Sequence, residues 1–134
     1  MNHMKTKKII SLILRLVASV ILLQTLYYKF TAQPESVHIF SKLGIEPWGR
    51  IGSGIAELIA SVLLLVPSTI VIGALMAAGI MLGALASHFF VLGISVDGDG
   101  GQLFVYALIV LVCSLGLVFL HHDQFAAYKK KFLK

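Results

Sequence analysis

The stretch that decides the fold runs from residue 103 to residue 120 and reads LFVYALIVLVCSLGLVFL. None of its side chains is charged. A helix needs roughly 17–25 predominantly apolar residues to cross the hydrocarbon core of a bilayer, and this stretch meets that requirement. The sequence therefore predicts a transmembrane helix at about 103–120.

Three further apolar stretches of similar length precede this one. They lie at about 9–30, 50–66 and 68–92. The first follows three lysines, but it is too long for the apolar core of a signal peptide and no A-x-A cleavage site follows it, so we interpret it as a retained span. The four stretches together predict an all-α membrane protein, a four-transmembrane-helix bundle that forms a single domain over residues 1–134.

The connections between the predicted spans differ in character. The residue before a proline disfavours helix, so Pro67 predicts a tight antiparallel hairpin of the second and third spans, with Ser68 or Thr69 as the N-cap of the next helix. Residues 31–49 hold two prolines but are too apolar for a free linker, which favours a short interfacial segment that ends at Gly44. A glycine-rich turn, ISVDGDGGQ, leads to the fourth span, and a short basic tail ends the chain.

The composition makes lipid the expected solvent of this chain. Of its 134 residues, 58% are hydrophobic and 13% are charged, and a soluble domain of this length buries too little of its surface to hide so much apolar area. The formal charge of +5 comes largely from lysines at the two ends of the chain. This grouping favours anionic lipid over nucleic acid as a partner. By the positive-inside rule it also predicts that the N- and C-termini are cytoplasmic.

Two features that invite other chemistry have simpler interpretations. Cys113 is the single cysteine, which excludes an internal disulfide, a CxxC redox pair and a multi-cysteine metal site. Its place in an apolar run favours a buried structural thiol. His121, His122 and Asp123 follow the last span, but adjacent histidines point to different sides of a helix, so a cap at the membrane interface is favoured over a metal site.

Polar side chains from all four predicted spans fall at a similar depth. With a rise of about 1.5 Å per residue, Gln24, Lys29, Glu57, His88 and Tyr106 all lie in the outer third of the bilayer. Ionisable groups in the membrane are costly and mark functional sites by default. The pattern predicts a polar pocket that opens to the outer face, with Glu57 at its centre.

A structural interpretation of the same charges stays open. Glu57 can pair with Lys29 or His88 as an internal staple, while Lys29 extends its ammonium towards the interface. Arg15 lies about two turns from the inner end of its span, where it can act as an anchor that reaches the cytoplasmic headgroups.

Small residues recur on the second and third spans. Gly79 and Gly83 form a G-x-x-x-G step, and Gly73 lies two turns earlier on the same span. Such spacing lets membrane helices approach closely. We expect it to pack helices within the bundle, and a homo-oligomer interface is the alternative.

Several short motifs, in this order along the chain, resemble the DoxX family of small bacterial four-helix membrane proteins. The resemblance covers nearly the whole chain and is carried by Arg15, Tyr28-Lys29-Phe30, FSKLGIEP at 40–47, GSGIAELIASVLLL at 52–65 and MLGALASH at 81–88. It implies a multi-pass protein of the bacterial inner membrane. Because the family is related to DoxD, a subunit of archaeal thiosulfate:quinone oxidoreductase, it also implies a quinone- or sulfur-linked redox subunit with a quinone as cofactor.

This function assigns roles to the polar residues. The resemblance places Arg15 at the polar pocket together with Lys29, Glu57 and His88. Glu57 and His88 are then the catalytic residues, since the reduction of a quinone needs groups that move protons. The binding residues are Lys29, Gln24, Tyr106 and Arg15. With one cysteine and no haem or flavin motif, the chain would receive its electrons through the quinone or from a redox partner protein.

Two other functions stay open at this stage. The chain could be a non-catalytic membrane binding or assembly module, in which Glu57 only holds the bundle together. It could also be a carrier for a small anion. Four spans are few for a transporter, so this function would require an oligomer to supply the missing helices.

Overall fold

Four long apolar helices build the structure, a computed structural model that describes residues 2–132. In chain order the helices are α1 (Asn2–Phe30), α2 (Pro34–Lys42), α3 (Trp48–Leu65), α4 (Ile70–Ser87), α5 (Gln102–Leu120) and α6 (Asp123–Phe132). A 3₁₀ turn, Pro67–Thr69, precedes α4, and a π-helical turn, His88–Leu92, extends it. Residues 2–132 contain no β-strand.

Four helical stretches are long and apolar enough to cross a membrane. They are His3–Phe30, Trp48–Leu65, Pro67–Leu92 and Gln102–Leu120. The predicted all-α bundle of four transmembrane helices is therefore confirmed. The first helix begins earlier than the apolar pattern indicated, because the lysines that precede the apolar run continue the helix.

Small and aliphatic side chains form the centre of the bundle. Leu22, Leu64 and Leu117 are almost completely buried, and Ala74 and Ala77 have no exposed surface. Large apolar side chains also cover the outside of the helices; Phe90, for example, is 85% exposed. An apolar exterior around a packed interior suits a bundle whose solvent is lipid.

The glycines of α4 do not all serve helix packing. A Cβ atom built on Gly73 lies 2.7 Å from the backbone nitrogen of Leu64, so the predicted close approach of α3 and α4 occurs there. At Gly79 and Gly83 a Cβ atom has no described atom within 4 Å. The prediction that this G-x-x-x-G step packs against a helix is therefore wrong, because both glycines line a cavity.

The C-terminal end of α3 is held by side chains from outside that helix. Pro67 stops the helix, which leaves the last carbonyl groups without intrahelical donors. Arg15 donates from Nε to the oxygen of Leu64 at 2.6 Å and from Nη2 to the oxygen of Leu65 at 2.8 Å. The Thr69 hydroxyl donates to the Leu63 oxygen at 2.8 Å. Thr69 is the N-cap residue of α4, as predicted, but its hydroxyl makes no capping bond to α4 and instead binds the end of α3.

Helix α6 lies against the turn between α3 and α4. Gln124 donates to the oxygen of Pro67 at 2.9 Å and accepts a bond from the nitrogen of Val71 at 3.0 Å. The Tyr128 hydroxyl donates to the oxygen of Ser68. The basic tail expected after the last span is therefore a helix. These contacts fix its position against the turn.

The bundle has two distinct ends. The start of α1 and helix α6 lie at one end, called the terminal end below. Helix α2 and the loop at residues 93–101 lie at the other, called the loop end.

Candidate functional site

A cavity of about 750 Å³ lies between the four spans at the loop end and is called the loop-end cavity. Its wall is mainly apolar and is completed by α2 and the loop at residues 93–101. The polar side chains that carry the argument below are those of Gln24, Thr25, Lys29, Glu57, His88, Gln102 and Tyr106.

An ion pair joins α1 to α3 in the wall of this cavity. Lys29 Nζ lies 2.5 Å from Glu57 Oε1, and the two side chains are 15% and 5% exposed. The hydroxyl oxygen of Thr25 lies 3.0 Å from Glu57 Oε2, so both carboxylate oxygens have a polar partner. The ammonium of Lys29 also lies 5.8 Å from the centre of the Phe40 ring, which brings α2 to the same group.

A second ion pair fixes the backbone at Lys29. Arg50 Nε lies 2.9 Å from Glu46 Oε1 and 3.0 Å from Oε2, and Arg50 is 7% exposed. Its Nη1 donates to the backbone oxygen of Lys29, close to the C-terminal end of α1. Arg50 was not among the site residues predicted from the sequence. Its spacing of four residues from Glu46 was the available signal for the pair.

His88 lies in the cavity wall but does not pair with Glu57. Its ring is 5% exposed, and Nδ1 lies 2.9 Å from the carbonyl oxygen of Gly93. Because a carbonyl can only accept, Nδ1 is the nitrogen that donates to the Gly93 oxygen, and Nε2 is the ring nitrogen left for other partners. The π-helical turn holds this arrangement, since the Gly93 nitrogen donates to the His88 oxygen at 2.7 Å.

The other side chains predicted from depth also line the cavity. Gln24 and Tyr106 lie in its wall, and Gln102 donates from Nε2 to the Tyr106 oxygen at 2.9 Å. The structure therefore brings together all five polar residues that depth had grouped. Thr25 and Gln102 join them, and neither was singled out by the sequence analysis.

Arg15 is the predicted site residue that lies elsewhere. It is 14 residues before Lys29 on α1, which corresponds to about 21 Å along the helix. The resemblance placed it at the polar pocket, and this expectation is not met, because its guanidinium is bound to the end of α3. Arg15 lines a second cavity at the terminal end instead.

Asp99 organises the loop that closes the loop-end cavity. Its Oδ1 accepts bonds from the nitrogens of Val96 at 3.0 Å and Gly101 at 2.8 Å, and its Oδ2 accepts one from Leu103 at 3.2 Å. Burial raises the pKa of the Asp99 carboxyl, but these backbone donors and the one from Gln102 outweigh it, so the pKa is lowered overall. The carboxylate is thus a structural part of the start of α5.

The same loop contacts α2. Asp97 Oδ1 lies 3.5 Å from His38 Nε2, and both side chains are about half exposed. Within residues 2–132, no group of three histidine, cysteine, aspartate or glutamate side chains is placed to hold a metal ion. Cys113 lies in the apolar core.

This arrangement has a definite chemical capacity. The apolar wall can enclose the body of a hydrophobic molecule, while Lys29, Gln24 and Tyr106 offer hydrogen-bond donors to polar atoms on it. Glu57 and His88 add a carboxylate and an imidazole, two groups able to take up or release a proton.

Comparison with known proteins gives one match. The family model described as DoxX matches residues 10–93, which reach from α1 through the π-helical turn and so include Lys29, Glu57 and His88. No curated protein and no solved structure matches the chain. Since the match covers more than half of the 134 residues, this membrane protein belongs to the DoxX family.

Proposed function

We propose that this DoxX-family protein is a quinone-binding redox subunit of the bacterial inner membrane. The observation that carries the proposal is the loop-end cavity, whose mainly apolar wall contains the Lys29–Glu57 pair and His88. Its volume of about 750 Å³ lies within the roughly 300–1,000 Å³ typical of small-molecule sites.

The chemistry of the wall suits a quinone ring. A quinone is apolar apart from two carbonyl oxygens, which only accept hydrogen bonds, so its site needs donors in an apolar surround. Lys29 has further ammonium protons beyond the one directed at Glu57. Gln24 and Tyr106 supply an amide and a hydroxyl. These three residues would hold the ring.

Glu57 and His88 are proposed to handle protons. When bound, a quinone supplies two-electron chemistry coupled to the uptake of two protons. The carboxylate of Glu57 can hold a proton beside Lys29 and Thr25. Nε2 of His88 can accept another while Nδ1 stays bonded to Gly93. The electrons would come from a redox partner protein or a reduced sulfur compound.

The proposal includes an orientation with both termini in the cytoplasm and the cavity at the outer face. Lysines at the terminal end support it by the positive-inside rule. At the loop end, two of the cations are paired: Lys29 with Glu57, and Arg50 with Glu46. The rule counts lysines and arginines and not net charge, so the assignment rests on their larger number at the terminal end, where Lys5, Lys7, Lys8, Lys129, Lys130 and Lys131 lie.

Mass spectrometry of lipids extracted from the gently solubilised, purified protein tests the proposal. We expect near-stoichiometric menaquinone or ubiquinone in the wild type and its loss from Glu57→Gln and from His88→Ala. Asp123→Asn and His122→Ala are the controls, since they also change one carboxylate and one histidine but at the terminal end, and they should retain the quinone. Bulk phospholipid alone in every sample would reject the proposal and favour a non-catalytic assembly module.

A further inference from the structure

A second cavity of about 520 Å³ lies at the terminal end and is called the terminal cavity. It is bounded by α1, the turn between α3 and α4, and the start of α6. Its polar lining residues are Lys7, Lys8, Ser11, Arg15, His121 and Gln124. None of them takes part in the quinone site proposed above.

Positive charge exceeds negative charge at this cavity. Lys7, Lys8 and Arg15 line it, whereas the nearest carboxylate known to contact them is Asp123, 3.8 Å from Lys7 Nζ. The two side chains of that pair are 42% and 69% exposed, so the pair offsets little of the positive charge. Arg15 donates two of its five N–H groups to carbonyl oxygens, which do not neutralise its charge.

The cations of the terminal cavity also act on the His121 ring. Burial, together with the charges of Lys7 and Arg15, lowers the pKa of its ring, although Asp123 opposes the change. Its Nε2 lies 2.7 Å from Ser11 Oγ. The two side chains therefore add hydrogen-bonding groups beside the cations without adding a negative charge.

We infer that the terminal cavity binds the phosphate group of an anionic membrane lipid. Three cations that converge with one exposed acid are suited to a phosphate. Basic pockets between membrane helices at the headgroup level bind acidic lipid headgroups. A lipid is favoured over free phosphate because Met4, Leu12 and Ile70 form part of the wall, and Leu12 is 48% exposed on α1, a helix apolar enough to cross a membrane.

Native mass spectrometry of the purified full-length protein in detergent tests the site. The probes are phosphatidylglycerol and phosphatidylcholine with identical acyl chains. We expect the double variant Lys7→Gln/Lys8→Gln to bind phosphatidylglycerol at least about tenfold more weakly than the wild type. The control Lys130→Gln/Lys131→Gln removes the same charge from α6 outside the cavity, and its affinity should stay within about twofold. Phosphatidylcholine binding should be weak in all three proteins.

Each alternative result has a defined meaning. Equal weakening in the two double variants would show general attraction to the basic terminal end and overturn the site. Inorganic phosphate that binds the wild type as tightly as phosphatidylglycerol would overturn the lipid assignment. If Lys7→Gln/Lys8→Gln does not fold, Lys8→Gln alone changes one exposed lysine and should still lose several-fold in affinity. Quinone content is a separate readout, so failure here leaves the proposed function standing.

Discussion

Lys29 Nζ and Glu57 Oε1 lie 2.5 Å apart and join α1 to α3 within the wall of the loop-end cavity. The pair satisfies two charges that lipid would not solvate. It also leaves both groups beside a cavity of about 750 Å³. The contact is therefore compatible with both interpretations that the sequence left open, a structural staple and a site.

The stability of this pair can be measured with a double-mutant cycle. Removing one partner leaves the other charge buried, so Lys29→Met and Glu57→Gln should each lower the free energy of unfolding by about 3–5 kcal/mol. The double variant should cost clearly less than the sum of the two, because it leaves no isolated charge. Unfolding in mixed micelles gives the three values. Additive costs would contradict a direct interaction.

Three glycines of α4 give a matched set of alanine substitutions. Gly79→Ala and Gly83→Ala place a methyl group in open space and should stabilise the helix by about 0.5–1 kcal/mol. Gly73→Ala meets the backbone of Leu64 at 2.7 Å and should destabilise the protein by about 1–3 kcal/mol. Unfolding midpoints of the three variants test this contrast. A stability loss at Gly79 as large as that at Gly73 would contradict the cavity.

Arg15 should matter for stability and not for quinone content. Arg15→Met removes the donors to Leu64 and Leu65, and hydrogen bonds to charged groups are worth about 1.5–3 kcal/mol. We therefore expect a loss of at least that size in the free energy of unfolding. The quinone retained per folded protein should be unchanged. A variant with normal stability that loses its quinone would place Arg15 in the functional site after all.

Acid should weaken the loop that Asp99 organises. Its pKa is lowered from an ordinary value of 3.8, so its stabilising contribution is complete above about pH 4 and is lost as the pH falls through the lower folded-state pKa. The difference in thermal midpoint between the wild type and Asp99→Asn should be constant from about pH 7 to 5 and shrink below about pH 4. Asp97→Asn is the neighbouring control. If the difference in thermal midpoint instead shrinks near neutral pH, a group other than Asp99 causes the pH dependence.

The spans were predictable because lipid imposes a requirement that sequence shows directly: long apolar helices with few charges. The five cavity residues were predictable for a related reason, since depth along each span follows from the helical rise. The depth of a residue does not determine, however, how its helix is rotated about its own axis. Pairing of Glu57 with Lys29 in place of His88 depends on that rotation. Arg15 was assigned to the pocket by the family resemblance, although its depth put it near the opposite end of the span.

Other features depend on contacts that are distant in sequence. Helix α6 is polar and basic, and it is fixed by the contacts of Gln124 and Tyr128 with the turn between α3 and α4. The step formed by Gly79 and Gly83 has the spacing of a helix contact, yet it faces a cavity. Spacing alone cannot distinguish these two environments, because both favour small side chains.

Photoaffinity labelling of the purified protein with an azidoquinone tests the central claim most directly. We expect labelled peptides from the segments that line the loop-end cavity, residues 79–88 and 102–107, and loss of the label when excess unmodified quinone is present. Glu57→Gln should show the same loss. Labels spread over lipid-facing residues, unaffected by competitor and by Glu57→Gln, would contradict a quinone site in this cavity.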